Sequence, residues 1–144
     1  AVDGSGLMLT KSSGYEIEEM QSSVSRLFFP QTFTQADGTL LWLDRATGRA
    51  DTLSFSDSGE GKDGVYSSEQ GNFVAAAVLG SNLTVRVYDV ASGALLADKV
   101  IENPDPTYFY RIPSIYLLDE AKTAVVVLGS SIDELDTLVS VFEF

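Results

Sequence analysis

The chain has no cysteine and no histidine among its 144 residues. Without cysteine no disulfide framework can form, and the redox compartment is left unspecified. The same two absences remove zinc sites built on Cys or His, cysteine nucleophiles and Ser-His-Asp triads. Long hydrophobic runs are missing as well. The longest, FVAAAVLG at Phe73–Gly80, falls far short of the roughly 20 apolar residues a spanning helix needs, so no direct membrane span is expected. No secretory leader is legible, and a start at Ala1 fits a processed end. Basic residues are scarce: Lys and Arg number 9 against 21 Asp and Glu, for a net charge of −12. Such a surface repels phosphate, which makes nucleic acid and anionic membranes poor partners. A divalent cation or a basic protein surface suits it better, although solubility alone is a sufficient use for acidic residues.

What is present is a period of two. TVRVYDV and LVSVFEF alternate, while LFFPQTFT and TLLWLDR are rich in β-branched and aromatic residues. Turn chemistry separates the runs: ADG at 36–38, ATG at 46–48, ASG at 91–93, ENPDP at 102–106 and DEAK at 119–122. Strands therefore recur about every 8–12 residues, as in a sandwich, a barrel or a propeller. A helix is expected only over YEIEEMQSSVSRL, Tyr15–Leu27, whose apolar spacing is ragged.

One run is written twice. TLLWLDRATGRADTL begins at Thr39 and TVRVYDVASGALLAD at Thr84, so Asp44 falls on Asp89, Thr47 on Ser92 and Gly48 on Gly93. A period of about 45 lies in the range of propeller blades. VVVLGS at 125–130 echoes AAVLGS at 76–81, and VSVFEF echoes VRVYDV at an offset of 54. The expected fold is a single all-β domain over 1–144 with about three antiparallel blade-like units, 27–55, 73–101 and 108–144. Further strands are expected at Val65–Ser68 and Tyr108–Leu118. A two-sheet β-sandwich or a barrel is the alternative. Val85, Val87, Val125, Val127, Val139 and Val141 are expected to point into packed interfaces.

NLTVRVYDVASGALLA and LLWLDRATGR resemble the middle strands of β-propeller blades and are similar to WD40 and quinoprotein-like repeats. There, an apolar-x-aromatic-Asp run followed by Ser or Thr and Gly forms the turn between two strands. The WD40 histidine is absent, and with Trp42 the only tryptophan the tryptophan docking motif of quinoprotein enzymes is absent too. More narrowly, the order FF…GTLLWLD…TLSF…AAAVLGSNLTVRVYDVASGALLAD…YFYRIPSIYLLDE…AVVVLGS resembles a luminal propeller in the large first subunit of the endoplasmic reticulum membrane protein complex. That resemblance implies a luminal location and a role in membrane-protein biogenesis. The third unit reaches Phe144 where a turn and outer strand would follow. A segment of a longer propeller, or blades assembled between chains as in a homodimer, is therefore expected, with Gly6–Thr10 a candidate closing strand.

Few residues carry chemistry. SDSGEGKDG at 56–64 places Asp57, Glu60 and Asp63 on a Gly-rich loop, which reads first as a solvated loop. Asp133, Glu134 and Asp136 form a carboxylate cluster, and Glu102 and Asp105 lie on a second acidic loop. Hard oxygen ligands of this kind suit Ca²⁺, or an acid/base pair. A charged hairpin tip that blunts aggregation is the plainer reading. No cofactor other than Ca²⁺ is indicated. YFYRIPSIY gathers Tyr108, Phe109, Tyr110, Arg111 and Tyr116, a composition suited to partner contact or to a half-buried strand. Trp42 reads as core. Asn82 heads an N-x-Thr sequon, which matters only in a secretory compartment. The expectation is a non-enzymatic, protein-binding scaffold in the endoplasmic reticulum lumen, or outside the cell or in the periplasm. The alternatives are a secreted or periplasmic binding module with an acidic, Ca²⁺-binding rim and, third, a carboxylate-based hydrolase.

Overall fold

Alternating and β-branched sequence gives strands throughout the computed structural model, which describes residues 20–29, 39–55, 64–103, 113–129 and 137–144. Among these residues there is no helix. The described residues form eleven strands in three antiparallel sheets. The first sheet runs in order β1 (Gln21–Ser22), β2 (Arg26–Phe29), β3 (Thr39–Asp44) and β4 (Ala50–Ser54). The second runs β5 (Gly64–Ser67), β6 (Phe73–Leu79), β7 (Leu83–Asp89) and β8 (Leu95–Ile101). The third contains β9 (Ser114–Leu118), β10 (Thr123–Gly129) and β11 (Thr137–Glu143). Each sheet is an up-and-down meander, and β5 lies against both β1 and β9.

The central strands β6 and β7 of the second sheet are packed on both faces, whereas β8 is exposed along most of its length. One face brings Val65, Val74, Ala76, Tyr88 and Val90 against Phe28, Leu40, Trp42, Leu53 and Phe55 of the first sheet. Phe55 meets Tyr88 edge-on with ring centroids 4.8 Å apart, a favoured aromatic geometry. The other face brings Ala75, Ala77, Val85, Val87 and Ile101 against Ile115, Leu117, Ala124, Val126 and Leu128 of the third. This explains why FVAAAVL has no alternation: a strand covered on both sides needs no polar face. Its three alanines leave room for the bulkier chains opposite, as close packing requires. Trp42 is core, as its sequence context indicates, and the Arg26 guanidinium stands 4.9 Å from the centre of its ring.

Two sequence expectations are corrected. The described part of Tyr15–Leu27 is not helical: it holds β1 and the start of β2, whose pairing with β3 stacks Phe28 beside Trp42. The strand phase is right for Val85 and Val87, which are fully buried, and wrong by one residue in the third sheet. There Ala124, Val126 and Leu128 face the core, Val125 and Val127 are half-buried, and Val139 and Val141 are 56% and 62% exposed. A one-residue shift exchanges the faces of a strand, and a run of three valines gives no alternation from which to read it. Gly6–Thr10 and the 56–63 loop lie outside the described residues.

Candidate functional site

The duplicated run builds the same turn twice. The Asp44 carboxylate oxygen Oδ1 accepts the N–H groups of Ala46 and Thr47 at 2.9 and 2.8 Å and the Thr47 hydroxyl at 2.9 Å. Gly48 donates to the Asp44 carbonyl at φ +70°, and the Asp44 N–H donates to the Arg49 carbonyl. In the second sheet, Asp89 Oδ1 accepts the Ser92 N–H and hydroxyl, both at 2.7 Å. Gly93, at φ +73°, donates to the Asp89 carbonyl, and the Asp89 N–H donates to Ala94. The third residue donates its hydroxyl to the acid, and the glycine takes the left-handed conformation that a Cβ would strain. The Thr47 N–H and hydroxyl bonds hold the Asp44 carboxyl below the usual range; desolvation opposes them, and the Ala46 N–H and the Arg26 charge add to the lowering. At Asp89 burial pushes upward, but the Ser92 hydroxyl and the N–H groups of Ser92 and Ala91 outweigh it, and the carboxyl is again lowered. Both acids are thus turn formers.

A second repeated set joins the sheets to one another. The hydroxyl of the buried Ser23 donates to the Ser68 carbonyl at 2.6 Å and lies 3.1 Å from the Ser67 hydroxyl. The hydroxyl of Ser68, also buried, donates to Asp119 Oδ1 at 2.8 Å and accepts the Phe73 N–H. Asp119 further accepts the Gln70 N–H at 3.0 Å and the Asn72 amide at 3.2 Å. Gln21 donates to the Val65 carbonyl and accepts the Ser67 N–H, while Arg26 Nη1 donates to the Gly71 carbonyl at 2.6 Å. The Tyr66 hydroxyl reaches across to the Pro113 carbonyl. Apart from the Phe73 bond, which lies within the second sheet, every link runs from one sheet to the next; those of Ser23, Ser68, Arg26 and Asp119 gather where β5 and β9 finish, whereas Tyr66 meets the third sheet at the other end, just ahead of β9. Sequence reading missed this seam, although a signal was present: Ser22–Ser23 recurs as Ser67–Ser68 at the same offset of 45.

Of the residues singled out for binding, Tyr108, Phe109, Tyr110 and Arg111 lie outside the described residues, as do Asp133, Glu134 and Asp136. Tyr116 is on β9 and 59% exposed. It pairs across the sheet with Val125, which pairs with Val141. Asn82 is exposed in the turn between β6 and β7, where its side-chain oxygen accepts the Asn103 N–H at 3.1 Å. Among the described residues no three Asp or Glu side chains lie close enough together to hold a metal ion, and no helix is long and apolar enough to cross a membrane.

Three consecutive antiparallel sheets, packed face to face with their first strands adjoining and a turn and a seam repeated between them, define a β-propeller-like arrangement of blades. One solved structure agrees at the level of fold. Kuenenia stuttgartiensis hydrazine synthase matches over 86% of this chain and 38% of its own, at 16% identity and a TM-score of 0.51. A structure from a study of two prolyl endopeptidases matches over 84% of this chain and 21% of its own, at 21% identity and a TM-score of 0.43. The chain therefore spans well under half the length of either. No protein-family model and no curated protein matches it.

Proposed function

We propose that this chain is a non-enzymatic scaffold module of the propeller type, whose blades hold protein partners. The observation that carries the reading is the use the repeat makes of its acids. Asp44, Asp89 and Asp119 each accept several hydrogen bonds that close a turn or tie one blade to its neighbour. Polar residues at recurring positions in the blades build the frame, and contact falls to the surfaces that the frame displays. The finer reading is a luminal one, in which the module serves a membrane-protein biogenesis complex of the endoplasmic reticulum. The exposed sequon at Asn82 supports a secretory setting, and the blade strings around Tyr88 and Tyr116 support the resemblance.

Purification of the natural polypeptide from its own cells tests this reading. The expected result is constant stoichiometry with subunits of such a complex and a glycosidase-sensitive mass that Asn82→Gln removes. A free protein that hydrolyses glycosides or lactones, and loses that activity in Asp133→Asn or Glu134→Gln, would overturn it.

A further inference from the structure

The third sheet has an apolar face that its two predecessors keep covered. The faces can be matched by register. Val65 pairs with Ala76 and Ile115 with Val126, and all four side chains point back toward the preceding sheet. This match places Tyr116 where Tyr66 stands, Val125 and Val127 where Ala75 and Ala77 stand, and Val139 and Val141 where Val85 and Val87 stand. In the first sheet Trp42 and Leu40 hold the places of Val87 and Val85, with Asp44 and Asp89 closing the same turn.

In the first two sheets this face is the one pressed against the next sheet: Leu40, Val85 and Val87 are completely buried, and Trp42 is nearly so. In the third sheet the same positions are open, and Leu118 adds to the patch. Apolar side chains spaced in this way on three adjoining strands make a continuous surface of the kind that marks a contact. Tyr66 shows what the contact involves. Its ring packs on the core between second and third sheets, and its hydroxyl donates to the backbone carbonyl of Pro113, just ahead of β9.

We infer that the face formed by Tyr116, Leu118, Val125, Val127, Val139 and Val141 seats a further antiparallel blade of the same polypeptide. That blade presents small and branched aliphatic residues at the positions of Ala124, Val126 and Leu128, and it offers the Tyr116 hydroxyl a backbone carbonyl just ahead of its first strand. A blade is the occupant because both existing interfaces use this face for a blade, in the same register. The inference rests on that equivalence and is independent of the scaffold reading: a propeller enzyme would need the same neighbour.

The absence of cysteine from the chain provides the test. Val141→Cys and, as an exposed control, Arg49→Cys are each introduced into the natural polypeptide, with any thiols elsewhere replaced, and into the 144-residue chain. Reaction with a thiol reagent is followed under native conditions. In the natural polypeptide Val141→Cys is expected to react about tenfold more slowly than Arg49→Cys or slower still, because labelling then awaits opening of the interface. In the 144-residue chain the two are expected to react alike at every protein concentration. Equal labelling in the natural polypeptide overturns the inference. So does protection in the 144-residue chain that grows with concentration, which would assign the face to a second copy. Tyr116→Phe, a change that leaves the ring in place, is expected to speed Val141→Cys labelling in the natural polypeptide alone; an equal effect in both forms would count against the carbonyl contact.

Discussion

Asp119→Ala removes the acceptor at the centre of the seam between second and third blades, and its cost can be apportioned from the geometry. Three donors lose a partner. The Gln70 N–H and the Asn72 amide sit at exposed positions and regain water, so each contributes little. The Ser68 hydroxyl does not: it is 1% exposed and donates to Asp119 at 2.8 Å while accepting the Phe73 N–H. A buried donor left without an acceptor costs about 1–3 kcal/mol, toward the upper end when the acceptor is charged. The expected loss is therefore about 2 kcal/mol, nearly all of it through Ser68. In urea that loss moves the midpoint down by about 1 M, given a slope of about 2 kcal/mol per molar. The double-mutant cycle is the sharper assay. In a Ser68→Ala background the hydroxyl is already gone, so Asp119→Ala should cost under about 1 kcal/mol, leaving a coupling of at least about 1 kcal/mol. Additive losses, with no coupling, would refute the claim that this pair ties the blades.

Four further outcomes follow from the repeat. Lys122 holds φ +46° in the turn where the second blade has Gly71 at +86°; Lys122→Gly relieves a left-handed non-glycine residue and should raise thermal stability by up to about 1 kcal/mol, less what a freer unfolded chain takes back, and a clear loss would mean that the lysine side chain has a role of its own. Val87→Ala should cost about 1–3 kcal/mol in chemical denaturation, whereas Val141→Ala in the same 144-residue chain should stay within about 0.5 kcal/mol; equal losses would contradict the assigned faces. Asp89→Ala should cost about 0.5–2 kcal/mol, as the loss of a local cap does. Because the Asp44 and Asp89 carboxyls are both lowered in the fold, the stability they contribute is complete above about pH 4 and is lost as pH falls through their folded values. A melting series from pH 7 to pH 2.5 should show an acid limb that the double alanine variant flattens, and an unchanged limb would exclude these turns as its source.

The turns were the most legible part of the sequence because their chemistry is local. Asp, Ser or Thr, and Gly satisfy one another within five residues, and nothing distant alters that. Strand phase was legible where one neighbour is polar, as in TVRVYDV, and failed in the valine run 125–127, where either face is apolar and only the register with β9 and β11 decides. Val139 and Val141 misled for a related reason: their alternation is genuine, but the apolar side faces outward, toward the place where the first two blades have a neighbour. The first strand of the first sheet hid inside a stretch read as helix, because Gln21–Ser22 is held by pairing with β2 and by the Gln21 bonds to Val65 and Ser67, contacts some 45 positions away that no local pattern encodes. For the candidate site, only Tyr116, Asn82 and the acidic-loop Glu102 fall within the described residues, and what the sequence left unread was the seam, since two adjacent serines resemble any polar turn until their partners are known.

The central claim is that successive blades stack with the second covered on both sides. Methyl-to-methyl nuclear Overhauser effects in a selectively labelled sample test it most directly. The account predicts, in one molecule, contacts joining Val85 and Val87 to Val126 and Leu128, together with contacts joining Val74 to Leu40 and Leu53. Finding one set while the opposite face of β5–β8 exchanges freely with solvent would contradict it and leave a two-sheet sandwich in its place.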